Sequence, residues 1–415
     1  VDSAALISNE GIVLGILAAI LGGIFYTQQS SHSFWQKFYQ WIPALLLCYF
    51  IPSLLNTFNI VDGESSGVAK AVKTYLLPAC LVLLTISLDL KAIARLGWKL
   101  VLLFFVGTFG ILIGGPIALL VVGALFPEML GVDGPQAVWR GMTTVAGSWI
   151  GGGANQLAMK ETFDVGNEIF SVMVTVDIIV ANIWLAVLLY LAANSQRIDG
   201  KMGADTSAIN DIKQRVESFE AQHKRIPTLP DFMLILAVAF GAAAMGHAVA
   251  DVMSPFIADN YPSLKALSLD AKFLWVIMIA TAVGIALSFT PARKLEGAGA
   301  SRIGSVMIYF LVASIGLSMD VTAIFEVPKY FLIGIIWMLV HAGLIVLVAR
   351  MIKAPLFYMA VASQANVGGA ASAPIVASAF HPALASVGVL LAVLGYAVGT
   401  YVAYLCGLVL RAIAL

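Results

Sequence analysis

Apolar residues along this chain come in blocks of roughly twenty, the length of helix that crosses a bilayer, with short polar connections between them. The blocks lie near 10–27, 40–57, 71–90, 97–126, 166–194, 231–253, 271–291, 303–320, 328–351 and 384–413, which predicts a membrane-spanning helix at each. Two more apolar segments, 138–163 and 355–380, are interrupted by glycine clusters. The extended polar stretch is 195–230, with a helix-like patch from Ile209 to His223 and prolines at 227 and 230. Too few apolar residues stand there for a core, so it predicts a linker rather than a second domain. The linker divides the chain into 1–194 and 231–415.

The two halves repeat each other. Ser87-Leu-Asp89-Leu-Lys-Ala92-Ile93 closes the third span, and Ser318-Met-Asp320-Val-Thr-Ala323-Ile324 closes the eighth. Ile150-Gly151-Gly152-Gly153-Ala154-Asn155 lies over Val367-Gly368-Gly369-Ala370-Ala371-Ser372, and the match runs on to Phe163 over Phe380. The loop from Pro127 to Gln136 explains the change of spacing between the two matches. Charge then decides the topology, because short cytoplasmic loops collect Lys and Arg. If the glycine segments crossed fully, Lys91, Arg95 and Lys99 would face away from the basic linker (Arg197, Lys201, Lys213, Arg215, Lys224, Arg225). If they are re-entrant hairpins, Lys37, Lys91, Arg95 and Lys99 join the linker, Arg293, Lys294, Arg302, Arg350 and Lys353 inside. The expected fold is therefore all-α and polytopic. It has two inverted repeats of about five spans plus one re-entrant Gly-rich hairpin each, with both termini outside.

Composition agrees with a bilayer as solvent: 60% of the residues are hydrophobic and 11% are charged. Lys+Arg and Asp+Glu number 23 each, so no net charge points to nucleic acid. Cys48, Cys80 and Cys406 stand in apolar segments without metal-ligand spacing and read as small hydrophobes. No basic region precedes the first span, which is flanked by Asp2 and Glu10, so it does not read as a usual signal peptide. The chain lacks a His-Glu-x-x-His pair and a Walker loop, and no enzyme reading is supported.

The glycine segments carry the candidate chemistry. Two arms of ~11 residues reach ~16 Å, about half the hydrocarbon thickness. Unwound backbone at that depth must line a cavity or be buried in protein. Arm N-termini there can bind a carboxylate, and freed carbonyls can hold Na⁺. Gly-Gly-Gly-Ala could instead serve only close helix packing. That leaves unexplained the neighbouring Ser148, Asn155 and Gln156 in one segment and Ser363, Gln364, Asn366 and Ser372 in the other. Substrate contacts are expected from Gly151, Gly152, Gly153, Asn155, Gln156, Gln364, Asn366, Gly368, Gly369 and Ser372. Na⁺ is expected at Asn155, Gln156, Asn366 or Ser372, with Ser148, Asp177 and Asn182 as further ion-coupling candidates.

The Gly-Gly-Gly-Ala-Asn-Gln and Gln-Ala-Asn-Val-Gly-Gly-Ala-Ala-Ser stretches resemble those of bacterial glutamate:sodium symporters and 2-hydroxycarboxylate transporters. More closely, the whole chain resembles an uncharacterised bacterial membrane family, a domain of unknown function, grouped with them. The resemblance implies a homodimer in the inner (cytoplasmic) membrane, with a static scaffold and a transport domain that moves as an elevator. Positions 151–156 and 366–372 would then contact substrate and ion. Neither tip has the Gly-Gly-Asn-Gly or Gly-Gly-His-Gly form of those symporters, and no arginine lies deep in a span near the second hairpin. Substrate identity is therefore not implied.

Asp177, midway along its span, costs ~2.5–3.5 kcal/mol to insert and is a functional candidate on that ground. A hydrogen bond to a neighbouring helix is the other reading. Asp89 and Asp320 at span ends read as caps, His247 and His341 as packed histidines, and Lys160 and Glu161 as residues reaching water. Three functions fit. The first is Na⁺-coupled symport of a small organic anion or amino acid. The others are cation/proton antiport through Asp177 and a non-transporting membrane scaffold or receptor.

Overall fold

A computed structural model describes residues 6–42, 44–61, 66–203, 226–261, 263–264, 269–317, 328–381 and 384–415. The repeat motif at 318–324 and the linker patch from Ile209 to His223 lie outside the described residues. The described chain is helical, and its one bridge, Ile7 to Val61, is isolated.

Hydrophobic length makes the helices. In the first half they are α1 Glu10–Gln28, α2 Ser33–Trp41, α3 Ala44–Thr57, α4 Gly67–Ile86, α5 Leu90–Arg95, α6 Trp98–Leu125, α7 Val138–Thr162, α8 Asn167–Ala193 and α9 Ser195–Met202. In the second half they are α10 Leu229–Asn260, α11 Lys272–Ser288, α12 Ala300–Gly316, α13 Pro328–Met351, α14 Leu356–Val367, α15 Gly369–Phe380 and α16 Ala385–Ala414.

Seven of these are long and apolar enough to cross a membrane, fewer than the ten expected. The difference lies in three places. α3 has 14 residues with Pro52 inside, and α12 has 17. α11 qualifies only together with Pro291–Ala298, from which it is bent by 95°. Pro291 has no N–H to continue the α11 ladder, so the chain turns there.

The helices sort into two bundles, and each bundle draws on both halves of the chain. The hairpin bundle holds α6, α7, α8, α13, α14, α15 and α16. The flanking bundle holds α1, α3, α4, α10, α11 and α12. Small residues let the helices cross closely, as lipid-embedded helices require. Trp337 of α13 fills the notch at Gly114 and Gly115 of α6, and its Nε1 donates to the Ile111 carbonyl at 2.8 Å. Pro116 deprives the Leu112 carbonyl of its helical donor, and the Cys406 thiol faces that oxygen at 3.6 Å. In the flanking bundle Gly284 of α11 packs on Val82 and Thr85, and Gly304 of α12 on Leu83.

Both glycine-interrupted segments fold back on themselves. In a straight helix residues 147 and 155 stand about 12 Å apart. Here a Cβ on Gly147 would lie 2.5 Å from the Asn155 carbonyl oxygen, so α7 is two antiparallel arms. The arms close at their base, where the Trp139 and Phe163 rings lie 6.1 Å apart and the Arg140 guanidinium donates to the Phe163 carbonyl. Arg140 also binds Asp133 at 3.0 Å and holds its carboxyl below the usual carboxylate range. The second hairpin, α14–α15, is clasped the same way, with the Phe357 and Phe380 rings 5.3 Å apart. Its first backbone N–H, at Leu356, donates to Asp199 of α9 at 2.8 Å, and burial pushes that carboxyl above its ordinary range.

Candidate functional site

The reversals come at glycines because other residues rarely adopt the required backbone. Gly152 has φ 70 and ψ −175, and Gly369 has φ 54. These two positions also lie over each other in the internal match of the sequence. The tips meet inside the molecule: a Cβ on Gly369 would lie 3.7 Å from Gly152 Cα, and one on Gly152 would lie 3.0 Å from the Tyr396 ring. A return arm starts at each tip, so the first N–H groups near Gly153 and Gly369 have no intrahelical acceptor. On the second tip Pro374 also removes the i+4 donor of the Ala370 carbonyl. Gly153, Gly368 and Ser372 are half-buried and Ala371 is exposed, so the junction is not sealed.

The amides around the tips differ in how far the protein satisfies them. Asn155 donates to the Gly151 carbonyl at 2.9 Å and the Tyr396 carbonyl at 3.3 Å, and accepts from Thr400 Oγ1 at 2.5 Å. Asn366 donates to the carbonyls of Phe104 and Ala362, both at 3.0 Å, and accepts from Thr108 Oγ1 at 2.7 Å. Gln156 donates to Asp177 Oδ2 at 2.8 Å and accepts from Tyr49 at 3.2 Å. Gln364 is different. Its Nε2 donates to Ser372 Oγ at 2.6 Å, while its buried Oε1 has no partner. With the amide turned round, an unpaired N–H would stand in its place. Either way one end of Gln364 is left open beside the second tip. A Cβ on Gly368 would collide with both Gln364 and Ser372.

Asp177 of α8 lies against the first hairpin. Trp149 Nε1 donates to Oδ1 at 2.6 Å, Gln156 to Oδ2, and Ser148 adds a third hydrogen bond. One carboxylate thereby joins both arms, since Ser148 and Trp149 precede the turn and Gln156 follows it. Farther along α8, Trp184 Nε1 donates to Ser363 Oγ of the second hairpin at 2.8 Å. Ser363 also lies 2.8 Å from His341 Nε2, and His341 Nδ1 is 2.9 Å from the Gly107 carbonyl. A carbonyl can only accept, so Nδ1 carries the proton and Nε2 accepts from Ser363. Asn182 bonds back to the Ile178 carbonyl of its own helix at 2.7 Å. At the first hairpin's base, Lys160 bonds Asn167 at 2.9 Å and Glu161 pairs with Lys73. His247 contacts the Thr74 carbonyl at 3.1 Å, and Asp89 pairs with Arg293 at 3.2 Å.

The tips, the clasped bases and the polar residues around them occupy one continuous stretch of similarity. A family model described as a protein of unknown function, DUF819, matches residues 15–413. The chain belongs to the DUF819 family. It is also similar to the uncharacterized membrane protein YjcL of Bacillus subtilis (strain 168), with 23% identity over 358 residues. That alignment covers 82% of this chain and 83% of YjcL. The DUF819 protein is thus a multi-pass membrane protein, in keeping with its seven long apolar helices.

Sequence reasoning had not singled out Tyr49, Thr108, Trp149, Trp184, Tyr396 or Thr400. Each is a hydroxyl or indole within an apolar run, where it reads as core. The usable signal was indirect: a buried amide demands hydrogen-bond partners, and neighbouring helices had to supply them.

Proposed function

We propose that this DUF819 protein is a secondary active transporter, carrying a small organic anion or amino acid together with Na⁺. In this reading the halves are inverted repeats, the hairpins are re-entrant, and the hairpin bundle moves as an elevator against a dimeric flanking scaffold. The observation that carries it is the junction of two buried glycine turns, so close that a Cβ on Gly369 would lie 3.7 Å from Gly152 Cα, beside the open end of Gln364. The N–H groups that open the return arms, apart from that of Ala370, which meets the Tyr396 hydroxyl, suit a carboxylate, and oxygens such as Gln364 Oε1, Ser372 Oγ and the Ala370 carbonyl suit Na⁺. Asn155, Gln156 and Asn366, bonded to protein at both ends of each amide, hold the tips in place in this arrangement.

The test is uptake by proteoliposomes of labelled small carboxylates and amino acids under an inward Na⁺ gradient. The reading expects at least one solute to accumulate with Na⁺ and not with choline. ΔpH-driven cation exchange without solute uptake would instead support antiport through Asp177, a reading favoured by the burial of that carboxylate in α8.

A further inference from the structure

The two bundles touch through apolar surface, through the Lys73–Glu161 ion pair and through a half-buried bond from Tyr401 to the Met278 carbonyl at 3.1 Å, and two fully buried hydroxyl bridges also cross between them. Tyr49 of α3 donates to Gln156 on the return arm of the first hairpin. Thr281 of α11 lies 3.2 Å from Thr400 of α16, and Thr400 donates to Asn155, the residue beside Gln156. Tyr49 is 2% exposed and both threonines are fully buried, so these bonds stand where water cannot replace them. α3 and α11 are the second helices expected to span in their respective halves. Adjacent amides on one return arm are thus tied to one hydroxyl from each half of the flanking bundle, Gln156 directly and Asn155 through Thr400. The second hairpin has a different set of partners. Ser363, Gln364 and Asn366 bond to Trp184, His341, Ser372, Thr108, Phe104 and Ala362, all within the hairpin bundle.

We infer that Tyr49 and Thr281 form a two-point latch that holds the hairpin bundle to the flanking bundle through the first hairpin, and that Asp177 positions one point of it. The amide of Gln156 can face Tyr49 in two orientations. The Asp177 carboxylate only accepts, so it fixes Nε2 toward itself and turns Oε1 to the Tyr49 hydroxyl. Without that charge the amide is free to rotate, and the bond to Tyr49 loses its preset acceptor. The second latch point does not pass through Asp177, because Thr400 links Thr281 to Asn155 directly. The latch rests on the bundle movement of the proposed function, but it can be read without any substrate.

Ile308 of α12 gives the readout, since it faces Gly153 across the bundle boundary, where a Cβ on Gly153 would lie 3.9 Å from it, and it is not itself a tip residue. In a background with Cys48, Cys80 and Cys406 replaced by Ala, Ile308→Cys reports bundle separation as its rate of N-ethylmaleimide labelling in detergent. Tyr49→Phe and Thr281→Val should each raise that rate about five-fold, the worth of one buried hydrogen bond. Combined, they should multiply to about twenty-five-fold, as independent points do. Asp177→Asn should raise the rate like Tyr49→Phe, and the pair together should do no more than either alone. Thr108→Val removes a comparable buried bond inside the hairpin bundle and should leave the rate at the parent value. Parent-like labelling in both Tyr49→Phe and Thr281→Val overturns the latch. So does an equal rise in Thr108→Val, which would mark general loosening. If Asp177→Asn and Tyr49→Phe multiply, Asp177 does not act through Tyr49. Labelling changes in a protein that carries no solute would remove the transport reading and keep the latch. Uptake with unchanged labelling would do the reverse.

Discussion

The first hairpin gives Asn155 to Thr400 and Gln156 to Tyr49 and Asp177, so its return arm is tied to three neighbouring helices. The second makes a matching turn at Gly369, yet its Gln364 reaches only Ser372 on its own return arm and leaves Oε1 unpaired. Alike in backbone, the hairpins differ in what their amides are asked to do. In the first the amides are structural, bonded to protein on both ends. In the second one amide keeps an end open at the place where the tips meet. A shared fold therefore leaves room for division of labour, with one tip anchored and the other, in the proposed function, binding.

The largest expected effect removes what the hairpins share. Valine at a left-handed position is strained by ~1–3 kcal/mol whatever the surrounding space. Gly152→Val and Gly369→Val should both abolish uptake, and Gly152→Val should melt lower because Tyr396 crowds it as well. Equal melting temperatures would show that Tyr396 does not confine the first tip. A smaller effect separates the hairpins. Gln364→Leu removes an unpaired buried oxygen together with the Nε2 bond to half-buried Ser372, and because the two effects oppose each other it should change stability by less than ~1 kcal/mol. The same change should abolish the rise in melting temperature that Na⁺ gives the parent protein. A parent-like Na⁺ response would place the cation elsewhere. The smallest concerns the base of the first hairpin. Asp133, held low by Arg140, stays ionised in the folded state below the usual carboxylate range. Its contribution is complete at neutral pH and is lost as the pH falls below ~4, through its lowered pKa. Asp133→Asn should remove that acid-dependent part of the melting curve. Its side chain is 50% exposed, so the shift is expected to be small.

Much of the helical skeleton was legible because it depends on length and composition, which a sequence displays directly. Gly151–Gly152 and Gly368–Gly369 were legible as helix breaks, since clustered glycines in an apolar run have few other uses. The bend after α11 was signalled only by Pro291, which a window of mean hydropathy passes over. Which helices make up each of the two bundles was not legible. It is set by which helices meet across hundreds of residues, as when Trp337 enters the Gly114–Gly115 notch. The amides near the turns were found from their polarity. Whether each was satisfied could not be read, because Asn155 and Gln364 look alike in sequence and differ only in their neighbours.

Hydrogen–deuterium exchange of the purified protein, with Na⁺ or with N-methylglucamine in its place, addresses the junction of the tips directly. Binding slows exchange where it holds the backbone closed. Na⁺ alone should slow exchange at 366–372 most and at 150–156 to a lesser degree, with the flanking helices unchanged. Slowing confined to other segments, or none at either tip in a protein shown to carry a solute with Na⁺, would contradict a shared site between Gly152 and Gly369.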